Sequence, residues 1–421
     1  MEHKLSKQAL NLMFLVFATL LMAVTTQVWA MSKASTEKQF AVWLQEDLWP
    51  EAERRGISAA TFKRSLSRVK LQWDLPDLRP PGSKMPKKRH QSQSEFRSPA
   101  PYFSEKRLSR QAETGRSLAR KWSATLKKIE QKYGVPGHVL VAIWGRESGF
   151  GRARMTHSAL PVLATKAFMS TRKKLFRREL LALLQIMQRD NISKSAMRSS
   201  WAGAMGQPQF MPTAYLKYAV DFDGDGQSDI WNSIPDTLAS MANYLSKSGW
   251  QAGRDWGFEA QLKPTVFCGQ EGPDRARPIS QWVEQGISRI NGRAFPKHEL
   301  SAKGMLLVPA GIYGPKFIVT PNFYVLKEYN NSDLYALFIG NLGDRIAYGS
   351  GRFHGAWGDV GRMLRSDVQR MQQVLEKVGY DVGGADGLPG YKTRRSIGEW
   401  QRKNGHKASC FPTSGLVSLL R

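Results

Sequence analysis

The run from Gly134 to Gly151 constrains the fold more than any other part of the chain. Gly134-Val-Pro136 opens a helix with proline near its first turn. Leu140, Ile143, Trp144 and Glu147 then fall on one face at helical spacing, and Gly149 and Gly151 follow. An acid on the apolar face of a helix, close to its negative end, is disfavoured as a carboxylate on both counts. A raised pKa is what a general acid needs at neutral pH. The alternative is a helix-end Glu147 that is solvated or paired with Arg146 or Arg152.

Helical patterning continues from about residue 115 to 250. Phe176, Leu180, Leu183, Leu184 and Met187 mark a second amphipathic helix, and Ile234 to Tyr244 supports a third. Residues 31–75 carry two short helical patterns around Phe40–Leu48 and Phe62–Val69. Residues 251–320 are rich in Gly and Pro, with strand-like runs at 304–309 and 316–320, and predict a small α+β subdomain. Tyr335 to Ile346 returns to helix. Residues 361–421 form a separate unit. Val368, Met371, Leu375 and Val378 mark one helix face, a Gly-rich turn spans 379–390, and a second helix runs from Thr393 to Trp400. Its length suits a compact three-helix module. The expected fold class is mainly α.

The N-terminus sets the expected compartment. Lys4 and Lys7, an apolar run from Leu10 to Val24, and Val28-Trp-Ala30 read as a signal peptide over 1–30, cleaved after Ala30. The apolar run is shorter than the roughly 20 residues of a membrane span. No cysteine lies nearby to accept a lipid, so a soluble periplasmic protein is expected.

Charge then becomes informative. Lys and Arg total 62 against 35 Asp and Glu, a net +27. Such a surplus implies an anionic partner. Export and the lack of a nucleic-acid motif turn that partner away from nucleic acid. Residues 78–132 hold 15 basic and 4 acidic residues, and the C-terminal unit 11 and 5. Part of the first surplus sits in a Pro- and Ser-rich stretch, 78–110, that reads as a basic low-order insertion. Lys166 to Arg178 has six basic residues and no acid, read either as a solvated helix face or as a basic rim. Cys268 and Cys410 could bridge in an oxidising compartment, but they fall in different predicted units, which argues against it.

Two more motifs carry chemistry. Ser199 to Pro212 combines small residues at 202–206 with Gln207, Gln209 and Phe210. Small residues admit close backbone approach, while amides and aromatics suit sugars; a tight helix crossing is the other reading. Asp221-Phe-Asp-Gly-Asp-Gly-Gln-Ser-Asp229 places oxygens at positions 1, 3 and 5 and Gly at 6, like the start of a calcium loop. Position 12 is Asn232 rather than Glu, with Asp236 the next carboxylate. The alternative is a loop of Asx turns without metal.

With these motifs in view, the chain resembles the lytic murein transglycosylase B family. The resemblance rests on Gly145-x-Glu147-Ser-x-x-Gly151, on Ser-Trp-Ala-Gly-Ala-Met-Gly-x-Pro-Gln-Phe-Met-Pro at 200–212, and on Tyr218 to Gly226. Asn243-Tyr244 and Tyr329-Asn330-x-Ser332-x-x-Tyr335 follow in the same order. Residues 367–401 are similar to a peptidoglycan-binding type 1 module through Gln369, Leu375, Gly379-Tyr380, Asp386-Gly387, Gly390, Thr393, Ile397 and Trp400-Gln401.

The resemblance implies a lysozyme-like catalytic domain over 111–360, with 31–77 as its N-terminal helical part and 361–421 as the binding module. It implies non-hydrolytic cleavage of peptidoglycan with Glu147 as the single acid/base. By the same resemblance Ser200, Gln209, Phe210, Tyr244, Asn330 and Tyr335 line the groove. Asp221, Asp223, Asp225 and Gln227, with Asp236 less securely placed, would hold a structural calcium ion. No cofactor is implied for the chemistry. The expected partners are glycan strands and envelope proteins, and a monomer is expected. A muramidase on the same fold and a non-catalytic wall-binding scaffold remain as alternatives.

Overall fold

The computed structural model describes residues 33–83, 99–190, 197–361 and 363–420. The predicted signal peptide and the centre of the basic insertion, 84–98, lie outside the described residues. The chain divides into two compact units, one built from residues up to 83 with 154–217, the other from 99–153 with 218–420.

The first unit is helical. A helix over 33–43 runs through a wider turn, Leu44–Leu48, into Trp49–Arg54, and Ala59–Leu66 follows. Ser58 starts the last of these by accepting the Thr61 amide on its hydroxyl. Lys173–Arg189 is the predicted amphipathic helix, with Phe176, Leu180, Leu183, Leu184 and Met187 all buried. Each such side chain contributes about 1.5–3 kcal/mol by leaving water. It packs along Ala159–Met169, and a short antiparallel pair, β1 (His157–Ser158) before the first helix with β2 (Arg198–Ser199) after the second, brackets them.

Arg172, Lys173, Lys174 and Arg178 are exposed, as a solvated face predicts, and Lys166 is the exception. Its side chain is fully buried, with Nζ donating to the Pro76 carbonyl at 3.0 Å and lying over the Phe176 and Trp201 rings. Burial pulls its pKa down, and the nearby Asp77 charge opposes that.

The second unit joins helices to a sheet. Glu105–Lys121, Ser123–Tyr133, Gly137–Ser148, Ile234–Lys247, Pro321–Tyr329 and Asp333–Tyr348 share one apolar core. The helix from Glu105 occupies part of the stretch read as a low-order insertion. Asp333–Tyr348 is buried nearly all round, the pattern of a central helix. Gly340 lets it approach the sheet, since a Cβ there would meet the Trp256 indole at 2.4 Å.

The sheet holds β3 (Gly257–Leu262), β4 (Arg277–Pro278), β5 (Ile287–Arg289), β6 (Lys303–Leu307) and β7 (Lys316–Val319), in the order β4-β6-β7-β3-β5. Neighbouring strands are antiparallel.

The module is the expected three-helix unit: Arg365–Lys377, Tyr391–Lys403 and Ser414–Leu419 around Val368, Met371, Leu375, Ile397 and Phe411. Here the cysteine reading is corrected. Cys268 and Cys410 form a disulfide that ties the sheet subdomain to the module. They meet because the turn at Cys268–Gln270 packs on the Tyr391–Lys403 helix. A Cβ on Gly398 would lie 2.3 Å from the Cys410 sulfur, so glycine is what admits the bridge.

Candidate active site

Glu147 is the penultimate residue of the Gly137–Ser148 helix. The helix ends on Gly149 in the left-handed conformation, and Phe150 keeps a positive φ of 63° as the chain turns back. That turn brings the Phe150 ring under the helix and edge-on to Trp144, 5.7 Å between centroids. Gly145 makes room for it, since a Cβ there would meet Phe150 at 2.6 Å. Ser148 Oγ accepts the Gly151 amide at 3.1 Å and fixes the loop.

Burial pushes the Glu147 carboxyl up, while a hydrogen bond from Tyr335 and the charge of Arg146 oppose the rise. Tyr335 Oη donates to Glu147 Oε1 at 2.6 Å. Arg146 turns to other partners, its guanidinium over the Tyr102 and Phe338 rings and donating to Tyr102 Oη at 2.8 Å. The paired-Glu alternative is therefore replaced by an acid hydrogen-bonded to a phenol.

Tyrosines extend from this point in a row. Tyr329 lies parallel to Tyr335 at 6.4 Å, Tyr244 is 5.0 Å from Tyr329, and Tyr218 is 4.6 Å from Tyr244. Tyr244 Oη donates to the Glu328 carbonyl at 2.6 Å. Burial, then the charge of Glu147, raises the Tyr329 and Tyr335 phenols, so both remain protonated donors. Tyr329 and Tyr218 were absent from the predicted groove residues, although both stood inside the quoted motifs. Asn330 lies exposed at the joint between the Pro321–Tyr329 and Asp333–Tyr348 helices.

Ser200, Gln209 and Phe210 belong to the first unit. Ser200 Oγ accepts the Ala204 amide at 3.2 Å, and Gln209 Nε2 donates to the Gly206 carbonyl at 2.9 Å. Met205 and Phe210 exchange backbone hydrogen bonds of 2.7 and 3.0 Å. Phe210 is only 3% exposed, so it anchors this loop from within rather than offering a face to a sugar. The buried carboxylate of Glu179 receives the Thr213 amide at 3.0 Å and holds the end of the loop.

Asp221, Asp223 and Asp236 bring one carboxylate oxygen each within 4.8 Å of one another. Asp236 is wholly buried and accepts the amides of Phe222, Asp223 and Asp229. It is thus the most firmly placed of the five predicted ligands. Asp225 stands outside this group and accepts the Gln227 amide at 2.8 Å. Three hard oxygen donors, two from the loop and one from the first turn of the helix after it, fit a calcium ion.

One partly buried acid at a helix end, in a helical body with an appended sheet and module, is the layout of a lysozyme-like transglycosylase fold. The chain belongs to the transglycosylase SLT domain family, whose model matches residues 39–344. A peptidoglycan binding domain model matches residues 365–409.

Membrane-bound lytic murein transglycosylase B of Escherichia coli K12 is 32% identical over 223 residues, 53% of this chain and 60% of that protein. The chain thus spans less than two thirds of that relative. Crystal structures of SltB3 from Pseudomonas aeruginosa, in complex with NAG-anhNAM-pentapeptide and with NAG-NAM-pentapeptide, are 35% and 34% identical. Their TM-scores are 0.78 and 0.79, each covering 91% of this chain and 99% of the other.

Proposed function

We propose that this protein is a peptidoglycan lytic transglycosylase, cleaving the MurNAc–GlcNAc β-1,4 bond without water and leaving 1,6-anhydromuramoyl ends in cell-wall turnover. The observation that carries this reading is the surroundings of Glu147. The groups acting on its carboxyl are a phenol and a guanidinium, not a second carboxylate. Ordinary glycosidases flank the bond with two acids. A single acid suits a reaction in which one group first gives and then recovers the same kind of proton.

In the first step the Glu147 proton passes to the bridging oxygen as the C1–O bond breaks, with the 2-acetamido group stabilising C1. In the second, the muramoyl 6-hydroxyl bonds to C1 and its proton goes to the Glu147 carboxylate. One bond is lost, one is gained, and Glu147 ends protonated as it began. Between the steps the Tyr335 hydrogen bond stabilises the carboxylate. Ser200, Gln209, Tyr244 and Asn330 are assigned to the groove and the module to glycan binding. The complexes of SltB3 with NAG-anhNAM-pentapeptide and NAG-NAM-pentapeptide support peptidoglycan fragments as the ligand class.

In this reading the N-terminal basic and apolar run supports export to the periplasm, where the protein acts as a monomer and contacts envelope proteins. No helix among the described residues is long and apolar enough to cross a membrane.

Mass spectrometry of products from purified sacculi tests the reaction. Anhydro ends are expected; ends heavier by one water would make the protein a muramidase. Sacculus binding with no turnover at any pH or calcium level would leave a scaffold. A structural calcium ion at Asp221, Asp223 and Asp236 is part of the proposal, and no catalytic step passes through it. Calcium at about 100 times its dissociation constant should stabilise the fold by about 2.7 kcal/mol. The thermal shift should vanish in Asp223→Asn, and its persistence there would remove the site.

A further inference from the structure

Arg394 reaches from the module into the catalytic body. Its side chain, on the Tyr391–Lys403 helix, is 3% exposed. Nε and Nη2 donate to the two oxygens of Glu271 at 2.9 and 2.8 Å, and Nη2 also to Asp333 Oδ2 at 2.9 Å. Nη1 is held by the Pro389 carbonyl of its own module at 2.8 Å. The other oxygen of Asp333 pairs with Lys327 at 2.7 Å. Burial works against the Asp333 charge, but Lys327 and Arg394 outweigh it and hold that carboxyl well below the usual range. The module is anchored beside this clamp by the Cys268–Cys410 disulfide and by Arg395 on Asp274 at 2.6 Å.

Asp333 is the first residue of the helix that carries Tyr335. Ser332 Oγ accepts the Tyr335 amide at 3.3 Å, so this turn is held as one piece, and Tyr335 Oη then reaches Glu147 at 2.6 Å. One flank of the turn faces open space. Asn331, Ser332, Asp333 and Leu334 line a cavity of about 390 Å³ together with Lys327 and Arg394. On that side Lys327 and Arg394 hold the Asp333 carboxylate across the cavity wall.

We propose that Arg394 is a positioning residue for the catalytic acid: through Asp333 it holds the turn that sets the Tyr335 phenol on Glu147. The inference rests on Glu147 being the acid. It gives the module a second task beside glycan binding, which is to complete the hydrogen bond that tunes the acid. The groups facing Glu147 are the Tyr335 and Tyr329 phenols and Arg146. Of these, Tyr335 is the one that bonds Glu147 and lies two residues from the Arg394 contact at Asp333, while Tyr329 ends the helix that carries Lys327.

The test is a carboxyl ¹³C titration of Glu147 in the full chain, beside steady-state turnover of soluble peptidoglycan fragments. The Tyr335 bond lowers the Glu147 pKa. Arg394→Met should therefore move the titration upward. It should also cut kcat about tenfold while changing KM less than about twofold. Tyr335→Phe should show the same shift, and the double variant no more than either single. A wild-type titration and kcat in folded Arg394→Met would overturn the proposal, as would a shift fully additive to that of Tyr335→Phe. Should Arg394→Met not fold, Asp333→Ala decides. It removes the acceptor, cuts the link to the helix and leaves the Arg394–Glu271 fork, and an unmoved Glu147 in it also overturns the proposal. Wild-type protein without any turnover would count against the enzyme reading, while the titration arm would still decide the clamp.

Discussion

Glu147 and Glu271 are two acids of the same unit that burial pushes in the same direction. Their partners differ. Glu147 receives one phenol at 2.6 Å, whereas Glu271 receives a bidentate guanidinium at 2.9 and 2.8 Å and the Val308 amide at 3.3 Å. A phenol is neutral and leaves the carboxyl free to keep its proton. A guanidinium fork opposes the rise and makes the other acid a structural anion. Burial alone therefore does not make a general acid; the charge and number of its partners decide.

The sharpest way to break this contrast is to neutralise each acid in turn. Glu147→Gln keeps an acceptor for Tyr335 but has no proton to give. Release of anhydro-muropeptides should fall about 10³-fold while sacculus binding persists. Full activity would remove Glu147 from the mechanism. The protonated form is the one needed at the start. Turnover in the wild type should therefore decline only as pH rises through a pKa above the ordinary carboxylate range.

Stability should respond in the opposite sense. Burial disfavours ionised Glu147, so its replacement by Gln should cost nothing at pH 8. Glu271→Gln should cost about 3 kcal/mol in urea unfolding, because Arg394 then stays buried with part of its compensation gone. Equal losses in the two variants would erase the distinction between them.

Much of this contrast was legible in the sequence, but only on one side. The apolar face of Gly137–Ser148 and the two glycines after it predicted where Glu147 would sit, because helix periodicity and turn chemistry are local. Asp221 and Asp223 were legible for the same reason, while Asp236, less secure because this chain has one extra residue between it and Trp231 relative to the family pattern, arrives from the next helix. Arg394 looked like one more charge on a basic module. Its role depends on Glu271 and Asp333, which lie 123 and 61 residues away in sequence. The Cys268–Cys410 pair was set aside on similar grounds, with a separation of 142 residues. Lys166 failed differently, since its long stem carries a buried ammonium to the Pro76 carbonyl that no periodicity reveals. Phe210 was assigned to the groove by the resemblance, and its ring is buried within its own loop, which no local pattern reveals.

Asp344 offers the smallest effect and a third case. It lies on the same helix as Tyr335, and its Oδ2 accepts a hydrogen bond from Trp256 Nε1 at 3.1 Å. Burial pushes its carboxyl up to about 7, against the Trp256 bond, with the charge of Asp255 adding to the rise. Its folded pKa lies above its unfolded one. Its contribution to stability is thus full below the unfolded value and is lost as pH rises through about 7. Asp344→Asn still accepts from Trp256 and does not ionise. The variant should nearly match the wild type at pH 4 and exceed it progressively as pH rises to 8, read as the difference between urea unfolding curves across that range. A difference that stays flat with pH would mean that Asp344 is ionised in the folded protein. It would then side with Glu271, and a neutral hydrogen-bond partner would not be enough to keep a buried acid protonated.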